Sequence, residues 1–372
     1  MTEKFNLKYI TYQTFPANTA NSLQTISNIK YFIKNGINVE LIFPLRDKNS
    51  NSNLIDIQNF YGIKENFTIY GTKHSYPFGK IKHFNRILFL LSHFLWSKKI
   101  ANEQISVLSS SSIIFTRSDW VFYFLSKKRV RVIYECHQFN RFRKSLINAS
   151  LKNYHSKVIF LNENLKIEYE KKFNLNKNFI VLQNGVDLEL FTKSKKKKGQ
   201  IIFVGSLTRF NKSRNIEKII EGLIKLNNEY KLLIVGAKDF EIPKLKILID
   251  RYNLTKQVNV LPFMKHEKVI QHLLESEIGI LINSPDNEHS TKFTSPIKYF
   301  EYLAADIKVI AANFDSHKIL PFSNKISFFD YENVDSLINA ILNTSDVTNI
   351  NKEEKESISL DNRIKKIIDF CK

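Results

Sequence analysis

Short apolar runs recur along this chain, separated by longer stretches in which apolar residues return every three or four positions. The runs are KYITY (8–12), VELIFP (39–44), FTIY (67–70), SIIFTR (112–117), RVIYEC (131–136), KVIFLN (157–162) and FIVLQN (179–184). After Lys198 come QIIFVGS (200–206), YKLLIVGA (230–237), VNVLPF (258–263), IGILIN (278–283), KVIAAN (308–313) and ISFFDY (326–331). Several are continuous Val/Ile/Leu/Phe runs rather than strict alternations, which predicts strands buried on both faces of a parallel sheet. Strand and helix in repetition predict a doubly wound α/β architecture. The run KSKKKK (193–198) cannot be buried and breaks the rhythm. It predicts a first domain over 1–192, a linker over 193–199 and a second domain over 200–350. A helix over 351–372 could then return to the first domain.

Length agrees with two domains, since 372 residues exceed one hydrophobic core. Hydrophobic residues at 43% and aromatics at 13% suffice for two cores, which excludes a disordered chain. No secretory signal is visible in MTEKFNLKYIT, and the longest apolar run, ILFLLSHFLW (87–96), is half a membrane span. Two cysteines, Cys136 and Cys371, make no disulfide framework, so a cytoplasmic protein is expected.

Charge changes the picture. The net charge is +20, and the residues through Lys198 carry 32 Lys and Arg against 13 Asp and Glu. The remainder is nearly balanced. A basic first half implies contact with something anionic, such as a membrane surface or a phosphorylated acceptor. No nucleic-acid module is recognisable, and none is expected as a partner. The stretch KIKHFNRILFLLSHFLWSKK (80–99) has basic ends and an aromatic middle. It reads either as a helix lying on a membrane at its inner face or as a buried helix of the first domain.

The strongest constellation is TKFTSPIKYFEYLAADIKVIAAN (291–313). Ser295 is expected as the N-cap and Pro296 as the first residue of a helix. A helix opening at the carboxyl edge of a parallel sheet offers amides and a positive dipole end to a diphosphate. Glu301 stands about 8–9 Å further along that helix, at 1.5 Å per residue, which suits a carboxylate on the ribose. A capped helix with one surface glutamate would give the same pattern.

With these residues in view, the chain resembles the retaining family-4 glycosyltransferases, the glycosyl transferases group 1, of GT-B fold. The resemblance implies two Rossmann-like domains facing each other across a cleft that binds a nucleotide-sugar. Glu301 matches the second of the family's paired glutamates, whereas Phe293 stands at the first. The segment 20–44 resembles the first loop and helix, with Ala20-Asn21 in place of the usual glycine pair and Asn21 and Ser22 as acceptor-side candidates. YECHQF (134–139) resembles the strand end bearing the active-site histidine, onto which His137 maps, implying contact with a donor hydroxyl. LQNGVDLELF (182–191) resembles the interdomain segment, with Asn184 on the cleft wall. FVGSLTRFNKSRNIEKII (203–220) resembles the donor domain's first strand and phosphate loop, which contains Gly205 and Ser206.

Glycosyl transfer leaves a nucleoside diphosphate whose charge must be stabilised. No DxD-type pair suits a metal, so none is expected, nor any other cofactor. Arg209 and Lys212 are the candidate catalytic cations, with Arg214 a further one. Thr294, Ser295 and Lys298 are expected around the diphosphate. Phe263 and Met264 are expected beside the base through main-chain contacts. The resemblance further implies transfer to a glycan or lipid-linked acceptor with retention, in bacterial surface polysaccharide or lipopolysaccharide synthesis. A nucleotide-sugar epimerase of the same fold and a non-catalytic polyanion-binding protein are the alternatives.

Overall fold

The computed structural model describes residues 5–47, 49–74, 85–171, 178–209, 212–346 and 349–372. The chain divides into two compact units. One comprises residues 1–182 with 363–372, and the other residues 183–362. The division falls earlier than the lysine run, because residues 183–191 pack with the second unit: Val186 pairs with Ser359, and Leu188 and Phe191 lie against its core.

In the first unit the elements are β1 (Asn6–Ile10), α1 (Ala20–Lys34), β2 (Asn38–Leu45), α2 (Leu54–Tyr61), β3 (Thr68–Lys73) and α3 (Asn85–Ile105). They continue as β4 (Ser112–Thr116), α4 (Asp119–Lys127), β5 (Val132–Cys136), α5 (Arg141–Leu151), β6 (Ser156–Phe160), α6 (Glu163–Glu170) and β7 (Phe179–Val181). The seven strands lie in the order β3-β2-β1-β4-β5-β6-β7, every pair parallel. β4 and β5 are buried at every position, as their unbroken apolar runs require when helices cover both faces.

The second unit holds β8 (Gln200–Val204), the two-residue strands β9 (Thr208–Arg209) and β10 (Lys212–Ser213), α7 (Ile216–Leu223), β11 (Lys231–Ala237) and α8 (Ile242–Arg251). Then come β12 (Val258–Pro262), α9 (His266–Glu275), β13 (Ile278–Leu281), α10 (Ile297–Ala304), β14 (Lys308–Ala312), α11 (Asp315–Lys318), β15 (Ile326–Phe329), α12 (Val334–Leu342) and α13 (Lys352–Ser357). The last helix, α14 (Leu360–Cys371), supplies residues 363–371 to the first unit. The second sheet is β12-β11-β8-β13-β14-β15, also parallel throughout. Both sheets therefore reverse direction once, between β1 and β4 and between β8 and β13. Such reversals open a crevice at the carboxyl ends of the strands.

Each strand expected from the pattern is present, with ends displaced by a few residues. The hairpin β9–β10 was not foreseen, since two-residue strands carry no periodicity. Phe43, Phe115, Tyr134 and Phe160 are fully buried in the first unit, and Phe203, Tyr299 and Tyr302 in the second.

One close approach fixes the position of α10. A Cβ on Gly279 of β13 would stand 2.6 and 2.8 Å from ring carbons of Tyr302. Tyr302 is fully buried, and its hydroxyl donates to the Ile280 carbonyl at 3.3 Å. Gly279→Ala should therefore force the ring and its helix outward and destabilise the protein by about 1–3 kcal/mol. A urea denaturation curve matching wild type would contradict that packing.

Candidate functional site

At the carboxyl edge of the first sheet, three segments meet around one guanidinium. α1 begins where Thr19 Oγ1 accepts from the Ser22 amide at 3.1 Å, and it ends in the Asn35-Gly36 turn, with Gly36 at φ +78. Asn21 sits in its first turn and is exposed, whereas Ser22 is fully buried and its hydroxyl donates to the Thr14 carbonyl at 3.2 Å. The expectation that Ser22 faces an acceptor is thus corrected: its hydroxyl is spent on Thr14 and Thr19. Arg117 follows β4, and its Nη2 donates both to Asn21 Oδ1 at 3.1 Å and to His137 Nδ1 at 2.8 Å.

His137 follows β5, and its Nε2 lies 2.8 Å from Glu135 Oε2. Glu135 is fully buried, and its other oxygen accepts from Arg363 of α14. Burial alone would raise the Glu135 carboxyl, but Arg363, His137 and Arg117 together hold it well below the usual carboxylate range. Burial and the neighbouring Arg117 push His137 down to about 4, so its ring is neutral at pH 7. A guanidinium can only donate and a carboxylate only accept. Nδ1 is therefore the acceptor and Nε2 carries the proton. Both ring nitrogens are occupied within the unit. Arg117, Glu135 and Arg363 were not foreseen as a network, and no local motif signals it.

In the second unit, the functional candidates gather around β8 and α10. Helix α10 opens one residue later than expected. Pro296 is its cap residue, without a side-chain cap bond. Ser295 does not cap the helix. Its hydroxyl accepts from the Asn184 amide at 3.2 Å, and Asn184 Nδ2 donates to its carbonyl at 2.5 Å. Asn184, expected with the first domain, is thereby tied to the second unit's own helix entry. Thr294 and Ser295 are both buried, as is Phe293.

Glu301, 8% exposed, accepts a hydrogen bond from His266 Nε2 at 2.6 Å through Oε1. Among the described residues nothing bonds to its Oε2. His266 opens α9. Burial would lower its pKa, but the hydrogen bond and charge of Glu301 carry it above its ordinary value. This partner was invisible in the sequence.

Gly205, at φ +132, ends the β8 turn and lies against Gly236. A Cβ there would stand 3.2 Å from Arg214 Nη1 and 3.5 Å from Lys298 Nζ, so two cations converge on this glycine. Lys298 Nζ donates to the Val204 carbonyl at 2.9 Å and lies 4.6 Å from the Phe203 ring centroid. Ser206 Oγ accepts from the Thr208 amide at 3.4 Å. Arg209 and Lys212 are not in an open loop. They are register partners across the β9–β10 hairpin, where Lys212 is exposed and the Arg209 side chain lies outside the described residues. Arg214, the least favoured cation in the sequence, is the one that approaches Gly205. Phe263 is 60% exposed just after β12, whereas Met264 packs on the core.

Residues 187–346 match the model of the family described as glycosyl transferases group 1. No curated protein sequence matches the chain. Its fold is similar to that of sucrose-phosphate synthase from Thermosynechococcus elongatus, at 13% identity over 98% of each chain and a TM-score of 0.73. A glycosyltransferase from Rickettsia africae ESF-5 is similar at 16% identity over 99% of this chain and 98% of that one, TM-score 0.68. An Anabaena protein solved in complex with UDP and glucose is similar at 12% identity over 98% of each chain, TM-score 0.66. The fold is GT-B, with the matched segment lying wholly in the second unit. That segment resembles a group 1 glycosyltransferase domain, and the chain is a glycosyltransferase enzyme.

Proposed function

We propose that the enzyme transfers a sugar from a nucleotide-sugar to a glycan or lipid-linked acceptor, with retention and without a metal ion. The second unit takes the donor and the first unit the acceptor. One observation carries this reading: at the edge where the second sheet reverses, Glu301 keeps an oxygen open while Arg214 and Lys298 converge beside a glycine. A glycine lets phosphate oxygens approach the backbone, and two cations offset the charge that grows on the leaving diphosphate. The amides opening α10 add the positive end of its dipole. Glu301 then holds the ribose. Thr294, Ser295 and Ser206 shape the phosphate end, and Phe263 and Met264 line the base through their backbone. Arg209 and Lys212, on the β9–β10 hairpin, are the further cations for the diphosphate.

His137 orients the acceptor side through Arg117 and Asn21, and Asn184 braces the loop that carries Ser295. The test is a thermal-shift screen against UDP, GDP, ADP and CMP. At least one is expected to raise the melting temperature, and a flat response to all four would remove the donor reading. Proton NMR of the new anomeric linkage decides retention.

The enzyme works in bacterial surface polysaccharide or lipopolysaccharide assembly, in the cytoplasm, peripherally at the inner face of the membrane. Among the described residues no helix is long and apolar enough to cross a membrane. Helix α3 buries Trp96, Ile100 and Ala101 yet leaves Ile87, Leu90, Leu91 and Leu95 between 36% and 66% exposed. Residues 80–84 of the stretch read as membrane-facing lie outside the described residues. An exposed apolar face in the basic half of the chain supports an anionic lipid surface as its partner. Leu90→Asp together with Leu91→Asp should lower co-sedimentation with phosphatidylglycerol-containing vesicles at least tenfold. Retention equal to wild type would assign the contact elsewhere.

A further inference from the structure

Beyond Pro262, the last residue of β12, the chain runs through Phe263 and Met264 and opens α9 on His266, at the carboxyl edge of the second sheet. His266 therefore stands between the residues given to the base and Glu301, given to the ribose. Its Nε2 lies 2.6 Å from Glu301 Oε1, and its side chain is 35% exposed, so solvent reaches the ring. That bond leaves Glu301 its Oε2, to which nothing among the described residues bonds. A carboxylate can only accept, so Nε2 carries a hydrogen toward Glu301 whatever the charge of the ring. The proton that comes and goes is the one on Nδ1.

Opposing influences act on that proton. Burial and the positive end of the α9 dipole disfavour an imidazolium at the first residue of the helix. The charged groups that face the ring are Glu301 of α10, Asp187 of the segment 183–191 that opens the second unit, and Glu267 of α9 itself. All are carboxylates. Together they outweigh burial, and the ring keeps its proton to a higher pH than an ordinary imidazole does. With the ring charged, the His266–Glu301 pair has no net charge. With the ring neutral, the pair presents a negative charge to an anionic nucleotide.

We propose that His266 is a positioning residue of the donor site: its imidazolium aims Glu301 at the ribose and offsets the carboxylate charge, so that the nucleotide binds with uptake of a proton at Nδ1. This role rests on the donor reading above, since it needs a nucleotide at Glu301. The sign follows from linkage. An anion beside the pair favours the imidazolium, so bound nucleotide raises the pKa of His266 further. Donor affinity is greatest below the pKa of the free protein, falls as pH rises through it, and levels off above the pKa of the complex.

The test is isothermal titration, from pH 6 to pH 9, of wild type and His266→Gln with the nucleotide that the thermal-shift screen selects. The glutamine amide still donates to Glu301 but takes up no proton. A terminal phosphate on the nucleotide ionises in the same range, and does so alike against both proteins, so the ratio of the two affinities isolates His266. The ratio of wild-type to variant affinity should fall about threefold to tenfold between pH 6 and pH 9. A ratio independent of pH would overturn the role. NMR titration of the His266 ring in wild type keeps the role testable if His266→Gln does not fold. Saturating nucleotide should raise its pKa, and an unchanged or lowered pKa would count against the role equally. The two readings fail apart. Unaltered nucleotide affinity in Glu301→Ala removes the donor reading and the role of His266 with it. Weakened affinity in Glu301→Ala beside a pH-independent ratio removes the role of His266 alone.

Discussion

Glu301→Ala is expected to weaken binding of the nucleotide that the thermal-shift screen selects tenfold to a hundredfold, measured by isothermal titration. In the proposed donor site the carboxylate offers Oε2 to the ribose while His266 holds Oε1 at 2.6 Å, so its loss would remove a preoriented charge-assisted contact. Such contacts contribute about 1.5–3 kcal/mol, and each 1.4 kcal/mol is a factor of about ten in affinity. The size of the effect depends on preorganisation. Glu301 emerges from the second turn of α10, whose place is set by Tyr302 against Gly279, and its rotation is set by His266. Glu301→Gln keeps an acceptor oxygen but loses the charge, and should fall between alanine and wild type. A second consequence follows from the same pair. Without the carboxylate, only the smaller pull of Asp187 and Glu267 opposes the burial of His266, so its pKa should fall in Glu301→Ala. That shift is readable by NMR whether or not donor is present. An alanine variant binding the selected nucleotide as wild type does would separate Glu301 from the donor.

Arg363→Met should have the largest effect on stability, a loss of about 3–5 kcal/mol in urea denaturation. Glu135 is fully buried and relies on Arg363 for one of its oxygens. Removing the cation leaves a carboxylate that must either stay charged in a low-dielectric interior or take up a proton. The variant should therefore lose the share of the acid-side behaviour that Glu135 contributes in the wild type. In the wild type, Glu135 has a depressed folded pKa, so its stabilisation is present above the ordinary carboxylate value of 4.5 and is lost as pH falls through the folded one.

Three imidazoles act in the same direction. His93, His137 and His317 are each pushed down to about 4, chiefly by burial. Between the ordinary value of 6.5 and about 4, the unfolded chain binds protons that the folded chain refuses. Stability should therefore fall as the solution is acidified across that window, by up to about 3 kcal/mol for each histidine at 1.36 kcal/mol per pKa unit. His266 has the opposite sign. Its raised pKa contributes stability below 6.5 that is lost as pH rises through the folded value. Equal stability at pH 7 and pH 5 in the wild type would contradict the neutral state of the three buried rings.

The architecture was legible because strands buried on both faces have to be apolar at every position. VIYEC and SIIFT announce central parallel strands without help from any tertiary contact. The order of the motifs likewise placed Glu301 on a helix after a strand. What escaped was decided by single geometric choices. Ser295 has the chemistry of an N-cap, yet Asn184 competes for its hydroxyl and the helix opens beyond Pro296. Arg209 looked like a loop cation because a two-residue strand leaves no trace in a periodic pattern. The unit boundary followed Val186 and its pairing with Ser359 rather than the solvated lysines.

The network on the first unit's edge was the least accessible of all. Glu135 and Arg363 are 228 positions apart, and nothing local distinguishes a buried ion pair from two surface charges. His137 was singled out as a lone histidine at a strand end. Its two nitrogens are occupied by Arg117 and Glu135, a pairing that no local motif announces. Likewise, His266 carries no motif, and its role exists only through the oxygen of Glu301 that it holds.

A crystal structure of the protein soaked with the nucleotide that the thermal-shift screen selects tests the donor assignment most directly. The account predicts ribose hydroxyls within hydrogen-bond distance of the Glu301 carboxylate, with the diphosphate over Gly205 between Arg214 and Lys298. Density for the nucleotide at any other place on the chain, with Glu301 still bonded to His266 alone, would contradict it.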